Sequence, residues 1–205
     1  AGECIGPVSE HLIPASRVER WVANFESRHG ETELVVADGF LHGTALDLSS
    51  FEAQLPFGRA FAGSGLSDFV DAATAPELWG VLLVRKGGFA VARLEGLQMV
   101  ESKVGQRHVQ GRTKAGGQSQ QRFARRRDNQ AKAAYLAAAQ HAQRILPATQ
   151  VVAGGDRTAV RAVLSLVNGV EVVGRWLEVP DPRRSVLQSA VLDACSVKMT
   201  VSNAT

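Results

Sequence analysis

Three consecutive residues near the middle of the chain, Gly116, Gly117 and Gln118, are the ones whose types and order suggest chemistry. Because glycine has no Cβ and adopts positive φ angles readily, a glycine pair lets the backbone approach another molecule closely. The backbone amide of Gln118 is then able to stabilise an oxyanion that develops in a reaction. Its side-chain amide does not titrate, which predicts a role in orienting water and excludes a general base. A motif of only three residues occurs often by chance, so the residues around it decide how it is interpreted.

Those surroundings are strongly basic. Residues 103–144 contain ten Lys or Arg and a single acid, Asp128, whereas residues 1–80 carry a net charge of −8. A block of this kind favours phosphate, because each neutralised phosphate releases condensed counterions. The alternative interpretation of the block is a well-solvated helix face.

The glycine pair lies between a strand-rich segment and a long predicted helix. Apolar runs at Trp79–Val84 and Phe89–Leu94 surround a glycine-containing turn at residues 85–88, which predicts a hairpin. Leu97–Val100 is predicted as a third strand, and a polar, basic stretch without apolar periodicity follows it. A helix is predicted from about Ser119 to Leu146.

Strands and helices alternate after this helix. The predicted elements are a strand at Gln150–Ala153, a helix at Arg157–Val167 capped by Asp156, a strand at Val170–Val179, a helix at Pro182–Ala194 and a last strand at Val197–Val201. Strands that are first paired as hairpins and then joined through helices predict an α/β fold with a mixed sheet.

Residues 1–76 are predicted to form an N-terminal extension made of a helix and a β-hairpin. Ser16 and Glu19 have the spacing of a capping box at the start of the helix, and Gly30 stands where the helix ends. Asp38 and Gly39 lie between two strand-like runs and predict a two-residue hairpin turn. Pro76 is the predicted boundary, and residues 77–205 are the predicted second domain.

The sequence around the glycine pair resembles the catalytic domain of eukaryotic and archaeal class-one peptide release factors. Those domains carry Gly-Gly-Gln-Ser, then an Arg-Phe-Ala-Arg segment on a long helix, after a meander of β-hairpins. The matching residues here are Gly116, Gly117, Gln118, Ser119, Arg122, Phe123, Ala124, Arg125 and Arg127. The resemblance covers about residues 78–200, and no segment resembles the stop-codon-reading domain or the partner-binding C-terminal domain of those factors. A freestanding domain of this type with a short N-terminal extension resembles most closely the actinobacterial branch of the Vms-like release factors.

This resemblance implies both a fold and an activity. The Vms-like family is described as peptidyl-tRNA hydrolases that act in ribosome rescue, with an RNase H-like α/β domain. It implies a codon-independent release factor for stalled or split large ribosomal subunits, with Gly116, Gly117 and Gln118 as catalytic residues. Its implied partners are the large-subunit RNA and the acceptor end of peptidyl-tRNA, whose 2′-hydroxyl and ordered water would carry the proton. The side chains expected to hold RNA phosphates are Arg107, Arg112, Lys114, Arg122, Arg125 and Arg126.

Two alternatives stay open at this point. Some Vms-like relatives cut the tRNA near its CCA end, but they tend to vary the glycine pair that this chain keeps, which favours ester hydrolysis. A non-catalytic factor that only binds the ribosome or RNA is the other alternative. Because RNase H-like folds occur in two-metal nucleases, the fold implied by the resemblance also suggests that activity. The scarcity of acidic residues in the basic segment argues against it. No metal and no cofactor are therefore expected.

Composition limits the cellular setting. Apolar runs such as Val81–Val84 are far shorter than the roughly 18 residues of a membrane helix. The first residues show neither a basic segment nor a long apolar stretch, so no secretory signal is expected. The two cysteines, Cys4 and Cys195, exclude a disulfide framework and fit a reducing compartment. A cytoplasmic protein without membrane or DNA partners is predicted.

Overall fold

A computed structural model describes residues 5–106, 132–146 and 149–204 of the chain. The chain divides into two compact units, one of residues 1–75 with 192–205 and the other of residues 76–191. Each unit contains one five-stranded sheet. Since helices accompany the strands in both, the predicted α/β class is confirmed.

The first unit is built on an antiparallel sheet whose strands come from both ends of the chain. Its elements are β1 (Ile5–Ile13), α1 (Val18–His29), β2 (Thr32–Ala37), β3 (Phe40–Ala45), β4 (Ser50–Gln54), α2 (Gly65–Ala72) and, after the second unit, β10 (Val197–Ala204). The strand order is β1-β10-β4-β3-β2. Phe25, Leu41, Phe51, Phe69 and Met199 are buried in its core.

In this unit the structure confirms the predicted hairpin turn and the predicted end of α1, but it does not contain the predicted capping box. Asp38 and Gly39 have φ angles of 52° and 83°, as a two-residue hairpin turn between paired strands requires. Gly30 ends α1 with a φ of 96°. The predicted capping box is wrong, because Ser16 lies in a 3-10 turn that delays the helix until Arg17 is its N-cap, without a side-chain cap bond. Glu19 therefore falls one position too early in the helix to close the box.

The second unit contains a mixed sheet. Its strands are β5 (Leu78–Arg85), β6 (Gly88–Glu95), β7 (Gln98–Gln106), β8 (Thr149–Gly155) and β9 (Val170–Val172), in the order β7-β6-β5-β8-β9. The first three strands form an antiparallel meander, whereas β8 pairs parallel with both β5 and β9.

The described helices in this part of the chain are α3 (residues 132–145), α4 (Arg157–Leu164) and α5 (Arg184–Ala194), and the last three residues of α5 belong to the first unit. Parallel strands need crossover connections, and α3 and α4 lie in the connections that lead to β8 and β9. Leu82, Val84 and Val91 of the sheet belong to one buried cluster with Ala142 and Ile145 of α3. The helix that the sequence predicts at residues 119–146 is thus confirmed over its described part.

Three predicted strands differ from the structure in length or in partner. The third strand continues to Gln106 instead of ending at Val100, because β7 lies at the sheet edge, where polar side chains face solvent on a paired backbone. The strand predicted at Val170–Val179 ends at Val172, and only Leu177 returns to bridge Gly154. The last strand forms as β10 but pairs with β1 and β4 in the first sheet. The division of the chain at residue 76 stays a prediction.

Candidate functional site

The strand before the segment with the glycine pair and the helix after it meet at one end of the second sheet, where β5 and β7 end. Gln106 is the last described residue before that segment, and Ala133 lies in the first described turn of α3 after it. Both line one cavity of about 250 Å³, here called the anchor cavity. The residues that line it are Val84, Arg85, Gly88, Phe89, Gly105, Gln106, Ala133, Ala134, Tyr135, Ala137 and Ala138.

All nine site residues that the sequence predicts fall between this strand and this helix, at residues 107–131, outside the described part of the chain. They are Gly116, Gly117 and Gln118 as catalytic residues, and Arg107, Arg112, Lys114, Arg122, Arg125 and Arg126 as RNA-binding residues. The structure describes the strand β7, which precedes their segment, and the helix α3, which follows it.

The strand that leads into this segment is held by close backbone packing. Gly105 pairs with Phe89 across the β6–β7 ladder, and Gly88 pairs with Gln106. A Cβ on Gly105 would lie 2.3 Å from Cε1 of Phe89, so only glycine leaves room for the ring at this position. The same ring stacks on His141 of α3 with centroids 5.6 Å apart. The end of β7 and the helix are therefore joined through one aromatic side chain.

The carboxyl ends of the parallel strands β5 and β8 lie side by side at this same end of the sheet. The Asp156 amide donates to the Val84 carbonyl oxygen at 2.8 Å. Gly155 precedes it with a φ of 95°, and a Cβ there would lie 2.4 Å from that same oxygen. The Asp156 carboxylate accepts from the amides of Thr158 and Ala159 at 2.9 and 3.0 Å, which confirms it as the predicted N-cap of α4.

Charged and aromatic groups surround the anchor cavity. Arg85 is the one charged residue among those that line it; its guanidinium donates to the Val179 carbonyl at 2.7 Å and lies 3.5 Å from the Asp181 carboxylate. Burial raises the pKa of the half-buried Tyr135 phenol, and the negative charge of Asp156 raises that pKa further. The lining is otherwise mainly apolar, which suits packing and positioning better than proton transfer.

The far end of α3 is fixed to the sheet by polar contacts and burial. The Arg144 guanidinium donates to the Glu101 carboxylate on β7, and Arg93 on β6 lies 3.9 Å from the same carboxylate. The Gln143 side-chain oxygen accepts from the Asn168 amide at 2.8 Å. Leu146, just after the helix, is fully buried. The described part of α3 is thus attached to the rest of the second unit at both of its ends.

The anchor cavity was missed by the sequence analysis. Arg85 and Phe89 lie in the β5–β6 hairpin, Tyr135 lies much later in the chain on α3, and none of them belongs to a recognisable motif. The available signal was glycine at strand ends, as at Gly105 and Gly155, which often marks a close approach of backbones.

The described residues also bear on metal binding and on membrane insertion. Within them, no group of three or more His, Cys, Asp or Glu side chains is placed to hold a metal ion. None of the helices in that part of the chain is both long and apolar enough to cross a membrane.

Comparison with known proteins gives one match to a family. Residues 77–200 match the family model described as Actinobacteria/chloroflexi VLRF1 release factor, which is more than half of the chain. No curated protein matches the sequence. Among solved structures, the crystal structure of the archaeal translation termination factor aRF1 is similar at 10% identity with a TM-score of 0.39. That similarity covers 94% of this chain but 65% of the archaeal one, so the chain spans less than two thirds of its length.

Proposed function

Since the chain belongs to the Actinobacteria/chloroflexi family of VLRF1 release factors, we propose that it hydrolyses peptidyl-tRNA on stalled or split large ribosomal subunits. The observation that carries the proposal is Gly116-Gly117-Gln118, placed in sequence between β7 and α3. The two ends of that segment line one cavity of a framework held by Phe89, Glu101 and Arg144. A fixed base for the segment supports precise positioning, which is a large part of catalysis.

In the proposed reaction, the oxygen of a water molecule attacks the ester carbonyl carbon that joins the nascent peptide to the tRNA. The bond from that carbon to the 3′ oxygen breaks, and the proton from water passes to the 3′ oxygen through the RNA 2′-hydroxyl and ordered water. The Gln118 backbone amide donates to the oxyanion or to the leaving oxygen. Its side chain orients the water, and the glycines let this backbone enter a crowded RNA site.

The basic side chains of the same segment are proposed to position the enzyme on RNA. Phosphate contacts fix register and orientation without reading sequence, which suits a factor that acts independently of the codon. The proposed contacts are made by Arg107, Arg112, Lys114, Arg122, Arg125 and Arg126. The partners are ribosomal RNA of the large subunit and the tRNA acceptor end, in the cytoplasm, with no role for DNA, membrane, metal or cofactor.

The test is peptide release from isolated large subunits that carry labelled peptidyl-tRNA. Gln118→Ala removes the side chain that orients the water, and Gly117→Ala restricts the backbone that presents the Gln118 amide. Both are expected to slow release by about 10²-fold, because small errors in the position of reacting groups cost that much. Co-sedimentation with the subunit should be unchanged, because neither substitution removes a charge. Gln110→Ala, an uncharged change in the same segment, serves as the matched control and should keep full activity.

Three outcomes would contradict the proposal. Absence of release by the unaltered protein, with binding retained, would indicate a non-catalytic ribosome-binding factor. Equal activity of Gln118→Ala and the Gln110→Ala control would remove the Gln118 side chain from the reaction, and full activity of Gly117→Ala would contradict the role of the backbone amide.

A further inference from the structure

The first unit contains a second cavity, independent of the segment that carries the glycine pair. It measures about 360 Å³ and lies between α1, β1 and β10. Phe25 and Val201 are buried at its base, while Trp21, Arg28 and His11 line its sides. This volume is within the range of small-molecule sites.

One wall of this cavity is a fixed aromatic stack on α1. Trp21, Phe25 and His29 recur every four residues and therefore share a helix face. The Trp21 and Phe25 rings are stacked at 5.7 Å between centroids, and the Phe25 and His29 rings lie 4.6 Å apart. Phe51 of β4 contacts both Trp21 and Phe25 edge-on at 5.2 and 5.1 Å. The half-buried Trp21 ring is thus held in place, while part of it lines the cavity.

The polar side chains that line the cavity include a guanidinium and two amides that can donate hydrogen bonds. Arg28, Asn24 and Asn203 all line it, and its described lining contains no Asp or Glu. Within the described residues, the Arg28 side chain makes no hydrogen bond or ion pair. A guanidinium that lines the same cavity as an indole ring suits an anion attached to an aromatic group.

Acidic residues near the cavity are already engaged elsewhere. The Asp47 carboxylate contacts His29 Nδ1 at 2.8 Å and accepts from the Ser49 amide at 2.8 Å. Glu10 on β1 forms an ion pair with Lys198 at 2.6 Å. Ser9 and His11, which also line the cavity, hydrogen-bond each other at 3.1 Å, so the Arg28 guanidinium is the cation that stays available to a ligand in the described lining.

We propose that this cavity binds a nucleotide, with the base against Trp21 and the phosphate at Arg28. Stacking on an aromatic side chain tolerates any base, because every base has a π face. A peptide carboxylate would satisfy Arg28 but would leave the Trp21 surface without a partner. The ligand is either a free mononucleotide or one unit of a single-stranded RNA, since both present the same chemistry. The site does not depend on ester hydrolysis by the second unit.

The test follows the indole N–H resonance of Trp21 in the full-length protein, identified by its loss in Trp21→Phe. The probes are adenosine monophosphate, inorganic phosphate and a single-stranded RNA of about five nucleotides. A local signal is needed because the basic segment is itself expected to bind RNA. Adenosine monophosphate or the RNA should shift this resonance saturably, and Arg28→Gln should weaken that binding by about tenfold.

The matched control is Arg20→Gln, which removes one exposed charge from the same helix outside the cavity. It should change the affinity by less than about twofold. Equal binding of the mononucleotide and the RNA would indicate a free nucleotide, and tighter binding of the RNA would indicate a strand; either supports the site. The proposal is overturned if neither probe shifts the resonance, if phosphate binds as tightly as the mononucleotide, or if Arg20→Gln matches Arg28→Gln. Failure of peptide release would leave this measurement unaffected.

Discussion

Tyr135 is the residue that reports most directly on the anchor cavity. It is the only tyrosine in the chain, lies in the described N-terminal part of α3 and lines the cavity. Burial is the larger cause of its raised pKa, and the Asp156 carboxylate is the second cause. Its titration therefore measures whether the helix lies against the edge where β5 and β8 end.

We expect the Tyr135 phenol to ionise above the ordinary tyrosine range, followed by tyrosinate absorbance in the ultraviolet. Because the folded state favours the neutral phenol, its stabilising contribution is complete at neutral pH. It is lost as pH rises from the pKa of unfolded tyrosine through the higher pKa of the folded state. Asp156→Asn keeps a good helix cap but removes the charge, so it should lower the pKa only in part. An ordinary pKa in the unaltered protein would contradict the packing of Tyr135.

At the scale of elements, the packing of the end of α3 against the second sheet requires a glycine at one position of β5. A Cβ on Gly80 of β5 would lie 2.3 Å from Cδ2 of the buried Leu146, which follows the helix. The amide of Leu146 donates to the Ala142 carbonyl at 2.8 Å, so the residue is tied to the last turn. Gly80 therefore sets how closely the end of the helix approaches the strand.

Gly80→Ala should lower the free energy of unfolding by about 1–3 kcal/mol, because overpacking forces side chains or backbone to move. In a Leu146→Ala background the same substitution should cost clearly less, since the clashing methyl group is gone. Denaturant unfolding of the four proteins of this cycle measures the coupling. Purely additive costs would contradict the contact between the strand and the end of the helix.

The elements that the sequence predicted correctly are those that neighbouring residues determine. The Asp38-Gly39 turn and the Asp156 cap depend on a few adjacent residues, and the structure confirms both. β1 was missed because it is an edge strand with exposed Val8 and Leu12, and its partner is the far end of the chain. β10 was predicted as a strand without a partner for the same reason, since its pairing with β1 and β4 is not encoded locally.

The candidate site divides in the same way. Gly116-Gly117-Gln118 and the basic residues around it form a contiguous motif, so the sequence alone was sufficient to propose them. The anchor cavity and the cavity beside Trp21 are each assembled from several elements. Their residues become neighbours only through the sheet register, which no local pattern of the sequence specifies.

At the scale of the whole molecule, charge is distributed unevenly along the sequence. Residues 103–144 carry a net charge of +9, whereas residues 1–80 carry −8. If the basic segment attaches the protein to ribosomal RNA, binding must release counterions and must weaken as salt rises.

Affinity for the large subunit should therefore fall steeply between low and physiological ionic strength. Replacing Arg125 and Arg126 by Gln should reduce the slope of log affinity against log salt by about two, one for each lost phosphate contact. Arg161→Gln, which removes an exposed charge on α4, is the control and should leave the slope unchanged. Fluorescence titration with labelled protein measures the slope, and a flat response would exclude the basic segment as the main attachment.

The most direct test of the central claim is the identity of the tRNA 3′ end after peptide release on large subunits. Ester hydrolysis predicts a full-length tRNA with an intact CCA end and a free 3′-hydroxyl, formed at the same rate as free peptide. Mass spectrometry of the terminal fragment distinguishes this product from a shortened one. A tRNA lacking CCA nucleotides, released together with the peptide, would contradict the account and move the chemistry to the phosphodiester.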